Sequence, residues 1–144
     1  MFRSGILDID LTAGTSGTAL AMDAPLPLQN VGFSGNNTLT IQCSGTYELT
    51  FFGNFTFSND SHLTFYVNAN GTRLTETVVE KDVAGGIQDS FERSVIVRLC
   101  ANTSLTAVVD NAEQSEGGSD GTLVVPPNGM HLEVVRVGAF TRTT

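Results

Sequence analysis

Cationic side chains are scarce in this sequence of 144 residues. One lysine and six arginines stand against 15 acidic residues, which gives a formal net charge of −8. Proteins that bind the phosphate backbone of nucleic acids need a stripe of lysine and arginine. We therefore expect no nucleic-acid partner.

The sequence also lacks a long apolar run. Near the N-terminus, Asp8 and Asp10 interrupt the apolar residues, and Arg3 is the single cation there. A signal peptide combines a cationic start with an uninterrupted apolar stretch, and a membrane-spanning helix needs about 20 apolar residues. We expect neither a usual export leader nor insertion into a membrane.

Motifs for catalysis are missing as well. The sequence contains no Gly-x-Ser-x-Gly elbow, no His-Glu-x-x-His zinc helix and no phosphate-binding glycine loop. The two histidines, His62 and His131, lie in or beside predicted strands, and we interpret them as structural or surface residues. We expect no enzyme and no cofactor, and we assign no catalytic, cofactor-binding or metal residues.

Carboxylates cluster in one segment, Asp110–Asp120, which reads DNAEQSEGGSD. Calcium-binding loops of about 12 residues place oxygen ligands at alternating positions and close with a glutamate. This segment does not have that spacing, so we interpret it as a solvated acidic loop. Calcium binding is the alternative.

What the sequence does contain is the composition of a β-rich protein. Nine phenylalanines and many valines and leucines accompany 15 glycines and abundant turn-forming residues. Short alternating segments separated by turns predict one all-β domain over residues 1–144, a sandwich of about ten strands, with a frayed tail at 141–144. The predicted strands are Gly5–Leu11, Ala24–Gln29, Leu39–Gln42, Thr46–Phe57, His62–Asn68, Thr72–Val79, Ser90–Leu99, Leu105–Val109, Gly121–Val125 and Met130–Ala139.

The longest alternation runs through Thr46–Phe57. Five apolar side chains share one side of this strand. They are Tyr47, Leu49, Phe51, Phe55 and Phe57. Gly53 interrupts that side, which indicates a bulge, a bend or the close approach of another backbone. Phe52 lies on the opposite, otherwise polar side, which indicates that the sheet is covered on both faces.

Three further predicted strands are apolar on both faces. They contain Val95-Ile96-Val97, Leu123-Val124-Val125, and Val134-Val135 with Val137. A sandwich with one face in water does not need apolar residues on that face. The outer face of one sheet is therefore expected to pack against another surface, and a second copy of the chain under closed cyclic symmetry is the simplest partner.

Several short motifs occur in an order that resembles a known family. They are PLPLQNVG (Pro25–Gly32), LTIQCSGTYELT (Leu39–Thr50), LTFYVNANGTRL (Leu63–Leu74), SVIVRLCANTSLTAVV (Ser94–Val109) and LEVVRVGAF (Leu132–Phe140). Together they resemble the TNF-like jelly roll shared by tumour necrosis factor ligands and complement globular heads. The most similar branch is the C-terminal domain of collagen-like spore-surface (exosporium) glycoproteins of the BclA type.

The resemblance implies a compact homotrimer in which the strands of one sheet face a three-fold axis. We place Phe52, Ile96, Val135 and Val137 nearest to that axis. The alternative is that these side chains are buried within the sandwich of a single chain.

The resemblance also implies that the strands next to Cys43 and Cys100 are antiparallel neighbours. A disulfide between these two residues would close a long loop and stabilise the fold. Two free, partly buried thiols are the alternative.

By the same resemblance, the chain is a noncatalytic trimerisation and surface interaction head, located on a bacterial spore or cell surface. Its partners would be itself and a host-cell surface protein or glycan. The alternative function is a phage tail-fibre or lectin-like tip that binds a receptor or carbohydrate and belongs to a phage virion.

Overall fold

A computed structural model describes residues 1–26, 28, 30–35 and 37–138 of the chain. Over these residues it contains eleven β-strands and one short 3-10 turn at Gln114–Glu116. The strands are β1 (Leu7–Leu11), β2 (Thr18–Ala19), β3 (Val31–Ser34), β4 (Thr38–Ile41), β5 (Gly45–Phe57), β6 (Ser61–Ala69), β7 (Thr72–Val83), β8 (Asp89–Leu99), β9 (Ser104–Asn111), β10 (Gly121–Val125) and β11 (Met130–Gly138). The predicted all-β class is confirmed.

The strands form two antiparallel sheets that pack face to face. In the first sheet β5 is the central strand, and β8 pairs with one side of it. On the other side of β5, β11 pairs with the N-terminal part of the strand and β10 pairs with its last residues. Strand β1 pairs with β10. The second sheet has the order β3, β4, β9, β6, β7, and β2 pairs with β9.

Alternation along β5 selects the side chains that fill the space between the sheets. Its five predicted core residues are all 0% exposed. The ring of Phe55 lies 4.9 Å from that of Phe65 in the opposite sheet, and Phe65 stacks on Phe91 of β8 at 4.6 Å. Because each fully buried ring contributes about 1.5–3 kcal/mol, this aromatic cluster is a main source of stability.

The glycine in the middle of β5 has a different role from the predicted one. Strand β5 continues through Gly53 without interruption. A Cβ atom at this position would lie 2.2 Å from Cε1 of Phe91. The sequence indicated a bulge, a bend or a neighbouring backbone, whereas the structure places an aromatic side chain from β8 there.

The tight turn predicted at Asn70-Gly71 joins β6 to β7. Both residues have positive φ angles, 50° and 80°, and Ala69 pairs with Thr72 across the turn. Two residues of this kind match the right-handed twist of the flanking strands. The predicted hairpin is confirmed.

Two short strands were missed, and one predicted strand differs. Strands β2 and β3 have two and four residues, too few for a visible alternation. In the predicted segment Ala24–Gln29, Ala24 forms only an isolated bridge with Phe2. Pro27 and Gln29 lie outside the described residues, as do Ala139 and the tail predicted to fray.

Candidate functional site

The candidate site is the side of the β8–β5–β11 sheet that points away from the core, here called the outer face. Directly opposed residues of an antiparallel pair carry their side chains on the same side of the sheet. Glu48 of β5 is paired with Ile96 of β8 and Val135 of β11, and Phe52 is paired with His131. The outer face therefore consists of the residues that alternate with the buried aromatics of β5.

Three aliphatic side chains protrude from one end of the outer face. Ile96 is 64% exposed, Val135 45% and Val137 53%. They lie on the two strands that flank β5, close to its N-terminal end. Exposed apolar side chains grouped on one face mark an interaction surface more often than isolated ones do.

Phe52 lies at the other end of the outer face and is only half-buried. Its ring contacts the imidazole of His131 edge-on, with centroids 4.7 Å apart and planes at 66°. Phe2 bridges to His131 from the N-terminal segment, so two aromatic residues flank the histidine. Phe2, His131 and Phe52 together form the aromatic row, which is a second apolar cluster on the outer face.

Burial changes the proton affinity of the histidine in this row. Burial, together with the positive charge of the Met1 N-terminus, lowers the pKa of His131 below its ordinary value of 6.5. These two effects outweigh the attraction of Glu133 and Glu92, which raises the pKa. The imidazole is therefore neutral at pH 7. A neutral ring can pack against Phe52 without carrying a charge into a contact.

A polar row separates the two apolar clusters. The Thr50 and Ser94 hydroxyls lie 3.0 Å apart, and Glu133 is paired with Thr50 on the other side of β5. The outer face thus alternates along the strands between apolar and polar rows. It is neither an ordinary solvated face nor a continuous core face.

The four residues predicted at a trimer axis all lie on this face. The structure brings Ile96 and Val135 to the two sides of Glu48, with Val137 two residues further along β11, whereas Phe52 lies apart in the aromatic row. Whether a second chain covers them stays a prediction.

Cys43 and Cys100 lie at one end of the first sheet, just before β5 and just after β8. The backbone N–H of Ala101 donates to the Ser44 hydroxyl at 2.8 Å, so the two strands stay adjacent beyond their last paired residues. Both thiols are exposed and free in the structure. The disulfide between them stays a prediction.

A polar cluster on the second sheet was not found from the sequence. The Tyr66 hydroxyl and the Arg73 guanidinium both donate to the Asp110 carboxylate at 2.8 Å, and the guanidinium lies 4.0 Å from the centre of the Tyr66 ring. Burial raises the pKa of Tyr66. These groups saturate one another, so the cluster fixes β6, β7 and β9 together, and no sequence spacing indicates it.

An acidic cavity of about 340 Å³ opens beside this cluster. Its lining includes His62, Glu80, Asp110, Glu113 and Glu116. His62 Nδ1 lies 2.5 Å from the Asp82 carboxylate. Within the part of the chain that the structure describes, no three His, Cys, Asp or Glu side chains converge as metal ligands would.

The described part of the chain has no helix that could span a membrane. None of its helical segments has the length and apolar character that crossing a bilayer requires. The single 3-10 turn comprises three polar residues.

Solved structures share the architecture of this chain. Eiger TNF from S. frugiperda superimposes with a TM-score of 0.63 at 16% sequence identity, over 99% of this chain and 94% of that one. Murine APRIL superimposes with a TM-score of 0.57 at 12% identity, over 92% of this chain and 98% of that one. The fold is a TNF-like jelly roll. No protein-family model matches the sequence, and no curated protein matches it.

The TNF-like jelly roll confirms the fold that the ordered motifs implied. At these sequence identities the similarity concerns the fold, and function must be argued from the surface of this chain. In this jelly roll the outer face combines exposed aliphatic residues with a half-buried aromatic row.

Proposed function

We propose that this chain is a noncatalytic head domain that assembles as a homotrimer through the outer face and uses its loops as an interaction surface. The observation that carries the proposal is the exposure of Ile96, Val135 and Val137 on one face, on the two strands that flank β5. Closed cyclic assembly would bury three copies of this cluster around one axis. The jelly-roll fold supports the same arrangement.

The proposed setting is the surface of a bacterial spore or cell, as in the collagen-like exosporium glycoproteins. The ordered motifs between Pro25 and Phe140 support it. We expect the parent gene to encode collagen-like Gly-X-Y repeats ahead of this segment. Neighbouring phage tail genes would favour a tail-fibre tip instead, and saturable binding on a glycan array would identify carbohydrate as the partner.

Light scattering after size exclusion tests the assembly. We expect a particle of about three times the chain mass of 15.2 kDa. Ile96→Asp and Phe52→Asp should each convert it to a monomer or an aggregate, because a carboxylate would have to leave water at the contact. A stable monomer for the unmodified chain at micromolar concentration would contradict the proposal.

Ile87→Asp is a matched control. Ile87 is 62% exposed, much like Ile96, but it lies in the loop between β7 and β8. The same substitution there should leave the particle mass unchanged. Equal effects of the two substitutions would mean that the outer face has no special role.

A further inference from the structure

A polar cavity of about 290 Å³ lies at the far end of the first sheet, where three segments of the chain meet. The segments are the end of β1 with the residue after it, the loop that follows β5, and the start of β10. The polar side chains in the lining include Asp10, Thr12, Asn59, Asp120 and Thr122, and they surround the buried side chain of Leu11.

Hydrogen bonds within the chain fix these polar side chains. The Thr122 hydroxyl donates to Oδ1 of Asp10 at 2.7 Å, because the two residues are paired across β1 and β10. The backbone N–H of Ala13 donates to Oδ1 of Asp120 at 2.8 Å, and the Asn59 amide nitrogen donates to the backbone carbonyl of Asp120 at 2.6 Å. The side chains are thus ordered before a ligand arrives, which lowers the entropy lost on binding.

The same hydrogen bonds leave acceptors unused in the cavity. Within the part of the chain that the structure describes, the second carboxylate oxygens of Asp10 and Asp120 and the amide oxygen of Asn59 have no hydrogen-bond partner. The hydroxyl of Thr12 adds a group that can donate and accept. Two carboxylates repel an anion, so the cavity suits a ligand that is uncharged and rich in hydrogen-bond donors.

A sugar ring has this chemistry. Each of its hydroxyls donates one hydrogen bond and accepts others, so neighbouring hydroxyls can donate to carboxylate oxygens and accept from Thr12. Hydrogen bonds to an ionised carboxylate are roughly twice as strong as those between neutral groups. The volume of the cavity is close to the lower end of the range of about 300–1,000 Å³ for small-molecule sites, so it fits one ring.

The cavity lies away from the apolar clusters of the outer face. Ser58 follows β5 directly, and its hydroxyl accepts a hydrogen bond from the backbone N–H of Thr122 at 2.8 Å. Phe52 lies six residues before Ser58 along the chain, a separation of about 20 Å at about 3.3 Å per residue. A homotrimer joined through the outer face would therefore carry three such cavities beyond the contact.

We propose that this cavity binds a neutral sugar ring of a glycan through hydroxyl hydrogen bonds to Asp10, Asp120 and Asn59. The inference rests on the proposed interaction head, and it names the class of partner and the place where that partner binds. No aromatic side chain is among the described lining residues, so a single cavity binds through hydrogen bonds and should be weak. Three copies on one particle would raise the apparent affinity.

An array of neutral glycans tests the cavity, and saturation-transfer NMR then measures the affinity for the free monosaccharide that binds. Asp10→Asn keeps an oxygen for Thr122 but replaces the second acceptor by a donor, so the affinity should fall about tenfold or more. Asp8→Asn is the matched control, because Asp8 is also exposed on β1 and lies outside the lining. It should bind like the unmodified chain.

Circular dichroism confirms that both variants fold. Saturable binding that Asp10→Asn reduces and Asp8→Asn leaves unchanged would support the proposal. Equal affinities of the two variants, or no saturable binding to any neutral sugar, would overturn it.

Salt and a chelator distinguish a sugar from a cation. A neutral ring should bind equally well between about 0.15 M and about 1 M salt, because it carries no charge for the salt to screen. The attraction of an ammonium group to two carboxylates would weaken over the same range. A signal that disappears in high salt, or that requires added calcium, would overturn recognition of hydroxyls.

Ile96→Asp separates this proposal from the proposed assembly. In the resulting monomer, the NMR affinity for the free monosaccharide should be unchanged, whereas the array signal should fall because three linked sites become one. A trimer without sugar binding would overturn the cavity and leave the assembly intact. A monomeric unmodified chain with binding that depends on Asp10 would keep the cavity and remove the homotrimer.

Discussion

The two sides of strand β5 differ in almost every physical respect although they belong to the same 13 residues. Tyr47, Leu49 and Phe51 on the inner side are fully buried, whereas Glu48 and Thr50 between them are exposed or half-buried. The inner side can be explained by one chain alone. The outer side carries exposed aliphatic residues around a carboxylate, and we propose that a second chain covers them.

The two sides therefore contribute to different properties. The inner side stabilises the fold, and the outer side is available for contact with another molecule. Inner-side residues contact one another across the two sheets, so their contribution appears in the free energy of unfolding. Outer-side residues have few partners within the chain, and their contribution should appear in association. Substitutions on the two sides should therefore change different measurements.

The largest effect on unfolding should come from the inner aromatic cluster. Phe55→Ala removes a fully buried ring that contacts Phe65 and Phe91. We expect a loss of about 3–5 kcal/mol in the free energy of unfolding, because the cavity left behind adds to the lost burial. Urea denaturation at a fixed protomer concentration measures it.

Phe52→Ala is the matched substitution on the other side. Its ring is half-buried and contacts His131 alone among the described aromatic rings. The free energy of unfolding at high dilution should fall much less than for Phe55→Ala. Equal losses would mean that Phe52 belongs to the core of one chain, which would undo the distinction between the two sides.

The inner side was largely predictable because alternation and burial have the same period. All five inner residues of β5 follow from the sequence pattern, and the bounds of β10 match the prediction. The filling of the space above Gly53 by Phe91 was not predictable, because it depends on the register of β5 and β8. A glycine in a strand indicates that something is close and leaves its identity open.

Substitution of Gly53 should therefore cause an intermediate loss in the free energy of unfolding. Gly53→Ala places a methyl group 2.2 Å from the present position of Phe91 Cε1, so the ring must move. Overpacking of this kind costs about 1–3 kcal/mol. Thermal or urea unfolding should show it, and a smaller side chain in Phe91→Leu should relieve part of the loss when the two changes are combined.

Gly5→Ala serves as its control, since a Cβ atom there has no neighbour within 4 Å. It should leave stability nearly unchanged. If Gly53→Ala were also neutral, the Phe91 ring would be able to move aside without cost, and its contact with Gly53 would not limit how β8 packs beside β5.

The outer side was predictable only in part. The pattern of apolar residues on both faces placed Ile96, Val135 and Val137 away from the core, because period-two alternation shows which side a residue takes. The rows in which Glu48 and His131 lie depend on how three distant segments are aligned. That alignment is set by the whole sandwich and has no local signal in the sequence.

The smallest effect on unfolding should come from His131, through pH. Its pKa in the folded chain is lowered by burial below the ordinary 6.5 that an unfolded chain retains. The unfolded chain therefore binds more protons as the pH falls below about 6.5, so the free energy of unfolding decreases in that direction and is fully regained above it. His131→Asn should reduce this slope and leave the part that belongs to the buried Met1 N-terminus, whose pKa burial lowers from 8.0 to about 6, so stability is also lost as the pH falls from 8.

The pH slope of the free energy of unfolding, measured at two protein concentrations, distinguishes an outer face in solvent from one that a second chain covers. If assembly covers the Phe52–His131 row, burial of the imidazole deepens and the loss of stability in mild acid should become steeper at high protein concentration. For a core histidine the slope would be the same at every concentration. Urea unfolding between pH 8 and pH 5 at two protein concentrations, with His131→Asn alongside, therefore shows whether this row faces solvent or a second chain.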